Sequence, residues 1–187
     1  MSRKEVVQTT PKEFAKYIGF VAIALLAVLS TNIFLGFAYA DIGFVGFLLL
    51  LAVGSRIPQK FAPDAWPIEL VTLAMFVAAL KYGSLAGALV GASALGLSRF
   101  FTIERPQDVV VAMIGMSALA VLAPWVYGIM GTYALAGLIL VLIYDLGTGI
   151  FYTVTGHSFV GCFKFALIHV PLSYLIIKYG AEFLIGF

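Results

Sequence analysis

Between Asp108 and Asp145 the chain carries no charged side chain. A run of that kind has no polar face to turn toward water, whereas a membrane span asks for about 20 consecutive apolar residues. The run is interrupted only near its middle, by a glycine-flanked turn at residues 128–131. It therefore reads as two membrane-crossing helices, one over residues 109–127 and one that opens at Thr132 and Tyr133 and leads to Asp145. Composition agrees. Of 187 residues, 63% are hydrophobic and 11% charged, against roughly 25% charged in an average soluble domain. A soluble domain of this length would lack the polar residues to cover itself. The net charge of +2 gives no reason to expect nucleic acid, and the single Cys162 allows no internal disulfide. Its thiol reads as a small buried hydrophobe.

The remaining sequence divides in the same way. Residues 1–16 read as a cytoplasmic N-terminal arm, and residues 17–187 as a single transmembrane helical domain. The first apolar run begins near Tyr17 and continues past Ser30, longer than the core of a signal peptide, so it reads as a retained span. The block 18–54 holds one charge, Asp41, and splits into 18–37 and a short piece, 42–54. For the short piece a tilted span, a re-entrant segment and a membrane-surface helix all remain open. Pro58, Pro63 and Pro67 make residues 55–67 a loop, with Trp66 suited to the membrane interface. Residues 68–80 form a short span between Glu69 and Lys81. Residues 84–98 form another, in which Gly83, Gly87 and Gly91 recur every four residues and so share one helix face. That row has two readings, a seam within the bundle or a docking face for a second membrane protein. Pro106 and Asp108 suit a helix start. Gly156-His157-Ser158 precedes a last span over residues 159–177, with Lys178 and Glu182 marking its exit.

The fold class expected is therefore all-α, a polytopic transmembrane bundle of six to seven helices in contact with the lipid bilayer, multi-pass in the cell membrane. With seven spans and the N-terminus inside, Arg3, Lys4, Lys12, Lys16, Arg56, Lys60, Arg99, Arg105 and Lys164 collect on the inner side. Lys81 and Lys178 lie outside, a distribution that fits the positive-inside rule. With six spans the bias nearly vanishes, so charge favours seven.

Polar groups inside these spans are the candidates for function, because hydrocarbon penalises them unless they are paired or line a wet cavity. Asp145, Thr148 and Tyr152 are spaced i, i+3 and i+7 and share a helix face. Gly147 and Gly149 between them are expected to weaken or open that helix. Asp145 has two readings, a ligand contact or a partner of Lys164 or His169 that holds two helices together. Lys164 reads as snorkelling to the interface, His157 as exposed in its turn, and His169 as mid-span with a structural bond or a ligand contact equally open. No GxSxG, HExxH or P-loop occurs, so no enzyme chemistry and no cofactor is expected, and any ATP-driven step would belong to another subunit.

The turn Lys81-Tyr-Gly-Ser-Leu-Ala-Gly-Ala-Leu-Val-Gly91 resembles the glycine-rich connection between the second and third helices of the substrate-binding (S) components of energy-coupling factor (ECF) transporters. The stretch Leu142-Ile-Tyr-Asp-Leu-Gly-Thr-Gly149, followed by Phe165-Ala-Leu-Ile-His169, is similar to the last two helices of that family. The resemblance covers residues 67–177. It implies a small six-helix membrane protein that binds a vitamin or a metal ion at its outer side and docks on a transmembrane coupling protein served by two ATPase subunits. Docking faces would come from Ala22 and Ala24 of the first span and from the Gly83, Gly87 and Gly91 row. The chain is thus expected to be the substrate-binding subunit of a multi-component importer. Asp145, Thr148, Tyr152, His157 and His169 would contact the small-molecule substrate, joined by Trp66 and Arg99 if a six-span plan puts their loops outside. The alternative is a structural or assembly subunit in which the same groups only pin helices together.

Overall fold

The computed structural model describes residues 39–60, 68–100 and 105–186. The N-terminal arm, the first span with Ala22 and Ala24, and Trp66 lie outside the described residues. Six helices follow in order: α1 (Tyr39–Arg56), α2 (Val71–Tyr82), α3 (Ser84–Ser98), α4 (Pro106–Met130), α5 (Tyr133–Val154) and α6 (Phe159–Ile185), with a 3-10 turn over Ile57–Lys60 after α1. No strand occurs among the described residues. The helical bundle is therefore all-α, and α1, α4, α5 and α6 are long and apolar enough to cross a membrane. The short piece at residues 42–54 belongs to a full 18-residue helix. Helices α2 and α3 have 12 and 15 residues. At 1.5 Å per residue they reach about 18 and 22 Å, short of a hydrocarbon core of about 30 Å.

Local chemistry sets the helix ends. Pro106 stands in the first turn of α4, where its missing N–H would have had no helical partner anyway, and Asp108 meets the positive end of the helix dipole. The turn after α4 is tighter than expected. The helix runs through Met130, and Gly131 alone makes the turn at φ 69°, its N–H donating to the Tyr127 carbonyl at 2.9 Å. Thr132 then caps α5, its Oγ1 accepting from the Leu135 N–H at 3.4 Å. Two further expectations are corrected. Helix α5 runs unbroken through Gly147 and Gly149, because a backbone among apolar side chains has no better partner than its own carbonyls. Helix α6 passes Pro171 and Lys178 and ends only at Ile185, since Ser173, Ile177, Ala181 and Leu184 keep one face buried to the end.

Helix α2 is the centre. Every residue from Val71 to Ala79 is buried, and α3, α4, α5 and α6 all contact it. A helix surrounded on all sides needs small neighbours, which the glycine row supplies. A Cβ on Gly87 would stand 2.5 Å from Ala79 Cβ and 2.9 Å from its Cα, and one on Gly91 would stand 2.5 Å from Met116 Cγ. Gly87 and Gly91 thus form a seam inside the bundle rather than the docking face that the resemblance implied. Gly83 makes the α2–α3 turn at φ 93°, a conformation that a residue with a Cβ adopts only under strain. The outer faces are apolar: Val110, Ile114, Val121, Trp125 and Ile129 of α4 and Leu146, Ile150 and Val154 of α5 are exposed. Such faces are compatible with lipid contact.

The helices alternate in direction, so their connections gather at two ends. At one end Arg56 Nη1 donates to Ser98 Oγ at 3.3 Å, Leu70 N–H to Ser55 Oγ at 2.9 Å, and Arg105 Nη1 to the Thr155 carbonyl at 3.4 Å. At the other end Lys81 Nζ sits 4.6 Å from the Phe44 ring, and the Tyr127 and Tyr133 rings stack at 4.8 Å. Arg56, Lys60, Arg99, Arg105 and Lys164 belong to the first end, Lys81 and Lys178 to the second.

The seam yields a paired test. Gly87→Ala pushes a methyl group into the Ala79 backbone, and overpacking of this kind costs about 1–3 kcal/mol. Its thermal midpoint in detergent should fall. Gly147→Ala, where an added Cβ meets nothing within 4 Å, should leave the midpoint unchanged or raise it. Equal behaviour of the two would remove the seam from the account of the fold.

Candidate functional site

The shortness of α2 makes room for the site. A Cβ on Gly180, late in α6, would lie 2.8 Å from Leu73 Cδ2 in the first turn of α2. Helix α2 therefore begins deep in the bundle, while the C-terminal turns of α5 and the N-terminal turns of α6 extend beyond it. The space left over its N-terminus is a cavity of about 430 Å³. Its wall comprises Arg56 from α1, Glu69 from the segment before α2, Asp108 from α4, Tyr144, Asp145, Thr148 and Tyr152 from α5, His157 from the turn, and Cys162 and Phe165 from α6.

A chain of buried polar groups runs behind this wall. Arg56, 4% exposed, donates to Ser98 Oγ, and its Nε lies 3.1 Å from Gln59 Oε1 and 3.6 Å from Glu69 Oε2. Glu69 Oε1 in turn lies 3.6 Å from His169 Nε2. The other ring nitrogen, Nδ1, is hydrogen-bonded to the Asp145 carboxyl group, 3.0 and 2.9 Å from Oδ1 and Oδ2. His169 is fully buried and does not itself line the cavity; it stands behind the two carboxylates that do. Its Nε2 has no hydrogen-bond partner among the described residues, since 3.6 Å is too long for such a bond.

A second pair stands in the cavity wall. His157 Nε2 is 3.1 Å from Asp108 Oδ2, and Tyr152 Oη donates to the Asp108 carbonyl at 3.2 Å. The Tyr152 and His157 rings lie 5.3 Å apart. Asp108 Oδ1 is buried without a hydrogen-bond partner among the described residues. Thr148, also in the cavity wall, donates its hydroxyl to the Tyr144 carbonyl at 2.7 Å.

The structure thus brings Asp145, Thr148, Tyr152 and His157 to one cavity, with His169 directly behind. Asp145 pairs with His169, while Lys164 is exposed on the outside of α6. His157, expected to be exposed, is half-buried because Asp108 holds it. Arg99 is exposed in the turn after α3 and forms no part of the cavity wall. Sequence reasoning missed Arg56, Glu69 and Asp108, all within a turn or two of a helix end, where a charge ordinarily reads as water-facing. One signal was present: each lies at the edge of an apolar block that has few other charges.

The electrostatics of the cavity follow from a count. Among the described residues one arginine stands against three carboxylates, which leaves two negative charges that the two imidazoles cancel only when both are protonated. A cavity of this size falls in the range for small-molecule sites, and its aromatic lining from Tyr144, Tyr152 and Phe165 presents π faces that attract cations.

The Asp145–His169 bond can be weighed by a double-mutant cycle. Asp145→Asn and His169→Gln should each lower the thermal midpoint, because each strands a buried partner. The double variant should lose less than the sum, by about 0.5–3 kcal/mol. Strict additivity would show that the two side chains do not depend on each other.

No family model matches this sequence, and no curated protein or solved structure matches it either.

Proposed function

We propose that the protein is a multi-pass subunit of the cell membrane that binds a small organic cation in the cavity between α1, α4, α5 and α6. The observation that carries this reading is the excess of carboxylates in a cavity of about 430 Å³, set among helices whose outer faces are apolar. Burying uncompensated negative charge is costly, and a cation with an apolar body offsets that cost while stacking on Tyr144, Tyr152 or Phe165. Among the described residues no three His, Cys, Asp or Glu side chains are grouped to hold a metal ion, which favours an organic ligand. The resemblance to ECF S components supports the role of a substrate-binding subunit in an importer. A coupling protein and ATPases would then be separate chains, since this one has no P-loop.

A second reading, a binding protein that faces the cytoplasm, is favoured by one observation. The basic residues gather at the cavity end, and basic loops face the cytoplasm. Import requires capture from outside, so the side on which the cavity opens separates the two.

Two measurements check these readings. Choline should raise the thermal midpoint of the purified protein, by about 2.7 kcal/mol of stability at one hundred times its Kd, and its neutral isostere 3,3-dimethyl-1-butanol should not. Equal effects of the two, or none from either, would remove the cation reading and leave a structural subunit. Cys162, the single cysteine and a cavity wall residue, reports sidedness. A thiol reagent that does not cross membranes should modify it in whole cells if the cavity captures from outside. Modification only in inverted vesicles carries the second reading.

A further inference from the structure

His169 is an imidazole held between two carboxylates, with Asp145 at Nδ1 and Glu69 at Nε2. With a single ring proton, used on Asp145, the Nε2 lone pair would face the Glu69 carboxylate 3.6 Å away with no positive charge between them. A second proton turns that repulsion into attraction. Charge points the same way. Arg56 Nε lies 3.6 Å from Glu69 Oε2, so among the described residues of the cluster one cation stands against two carboxylates, and one proton matches the charge that remains. Whichever atom carries it, the Glu69–His169–Asp145 relay has a place for one proton that is not fixed by the covalent structure.

The two carboxylates of the relay line the cavity, and His169 lies behind them. We propose that the relay is a proton site coupled to the cavity: a cation entering against Asp145 and Glu69 takes over the charge that the proton had supplied, and the proton leaves through the cavity to water. The cluster keeps its net charge across the exchange, one positive charge entering as one departs, so neither state leaves a bare carboxylate in the membrane. This inference rests on the cation reading above. It adds that cation and proton compete, each weakening the other by the same factor. Facing His169 are Arg56 from α1, Glu69 from the segment before α2 and Asp145 from α5. Asp108, Tyr144 and His157 face the same cavity from its other walls.

The test uses the full-length protein in nanodiscs and benzyltrimethylammonium, a cation whose own charge does not change with pH. Binding is followed calorimetrically between pH 5 and 9 in pairs of buffers that differ in ionisation heat, which counts the protons released. The expected result is close to one proton released per cation bound at acid pH, falling to none at alkaline pH. Kd should tighten by up to about 10-fold per pH unit over the acid range. In His169→Gln the release and the pH dependence should both be lost. Binding to the wild-type protein with no proton release at any pH would overturn the relay while leaving the cation reading intact. Release that persists unchanged in His169→Gln would overturn it too, by moving the proton to the Asp108–His157 pair. No binding at any pH would overturn the cation reading and the relay with it. If His169→Gln does not fold, His157→Gln decides: release that persists there keeps the relay, and release lost there overturns it by assigning the proton to the Asp108–His157 pair.

Discussion

The buried chain Arg56–Glu69–His169–Asp145 is the constraint on which the rest of the structure depends. It ties the end of α1, the start of α2, the middle of α6 and the last turns of α5 into one cluster. No member can be left alone: a charged group in the bundle interior without its partner is several kcal/mol less favourable than a paired one. That requirement fixes the register of α5 against α6. It also holds the segment before α2 deep inside, where Glu69 can meet both Arg56 and His169.

Because Glu69 is held at that depth, α2 starts there as well. Its 12 residues cannot reach the end at which α5 finishes and α6 begins, and the cavity is the difference in length. The glycine seam serves the same arrangement from the other side. Gly87 and Gly91 let α3 come close enough to bury α2 from Val71 to Ala79, so most of a helix too short to span the bilayer alone is enclosed by neighbours.

Much of this was legible in the sequence, and the failures have physical causes. The span over residues 84–98, the one over 109–127 and the one that opens at Thr132 and leads to Asp145 were expected from apolar runs bounded by proline, glycine and a capping threonine. They fall within the helices 84–98, 106–130 and 133–154. The i, i+3, i+7 spacing of Asp145, Thr148 and Tyr152 placed three cavity residues on one face. The bond between Asp145 and His169 was one of two partnerships that the sequence left open, because 24 residues of separation can bring either Lys164 or His169 opposite Asp145. Gly147 and Gly149 misled, since helix propensity measured in water overstates the weakness of glycine where the backbone has no water to turn to. Arg56, Glu69 and Asp108 were missed because a charge at a helix end is normally solvated. Only the depth at which α2 begins, a tertiary fact, takes Glu69 and Arg56 out of water.

The same cluster bears on whether these groups only fasten helices. A buried ion pair is a poor fastener: well-packed apolar residues of similar volume hold helices together as well or better, and the glycine and alanine contacts of α2 and α3 show that this bundle packs tightly without charge. A fastening network also satisfies its members. Here His169 Nε2, Asp108 Oδ1 and Thr72 Oγ1 are buried with no hydrogen-bond partner among the described residues; Asp108 lines the cavity, and His169 stands behind two carboxylates that do. Such incomplete groups agree with the proposed binding site, in which part of the bonding is reserved for something that enters. Under the proposed function the carboxylate excess asks for a cation, and the imidazole between Glu69 and Asp145 offers a proton that can stand in for it.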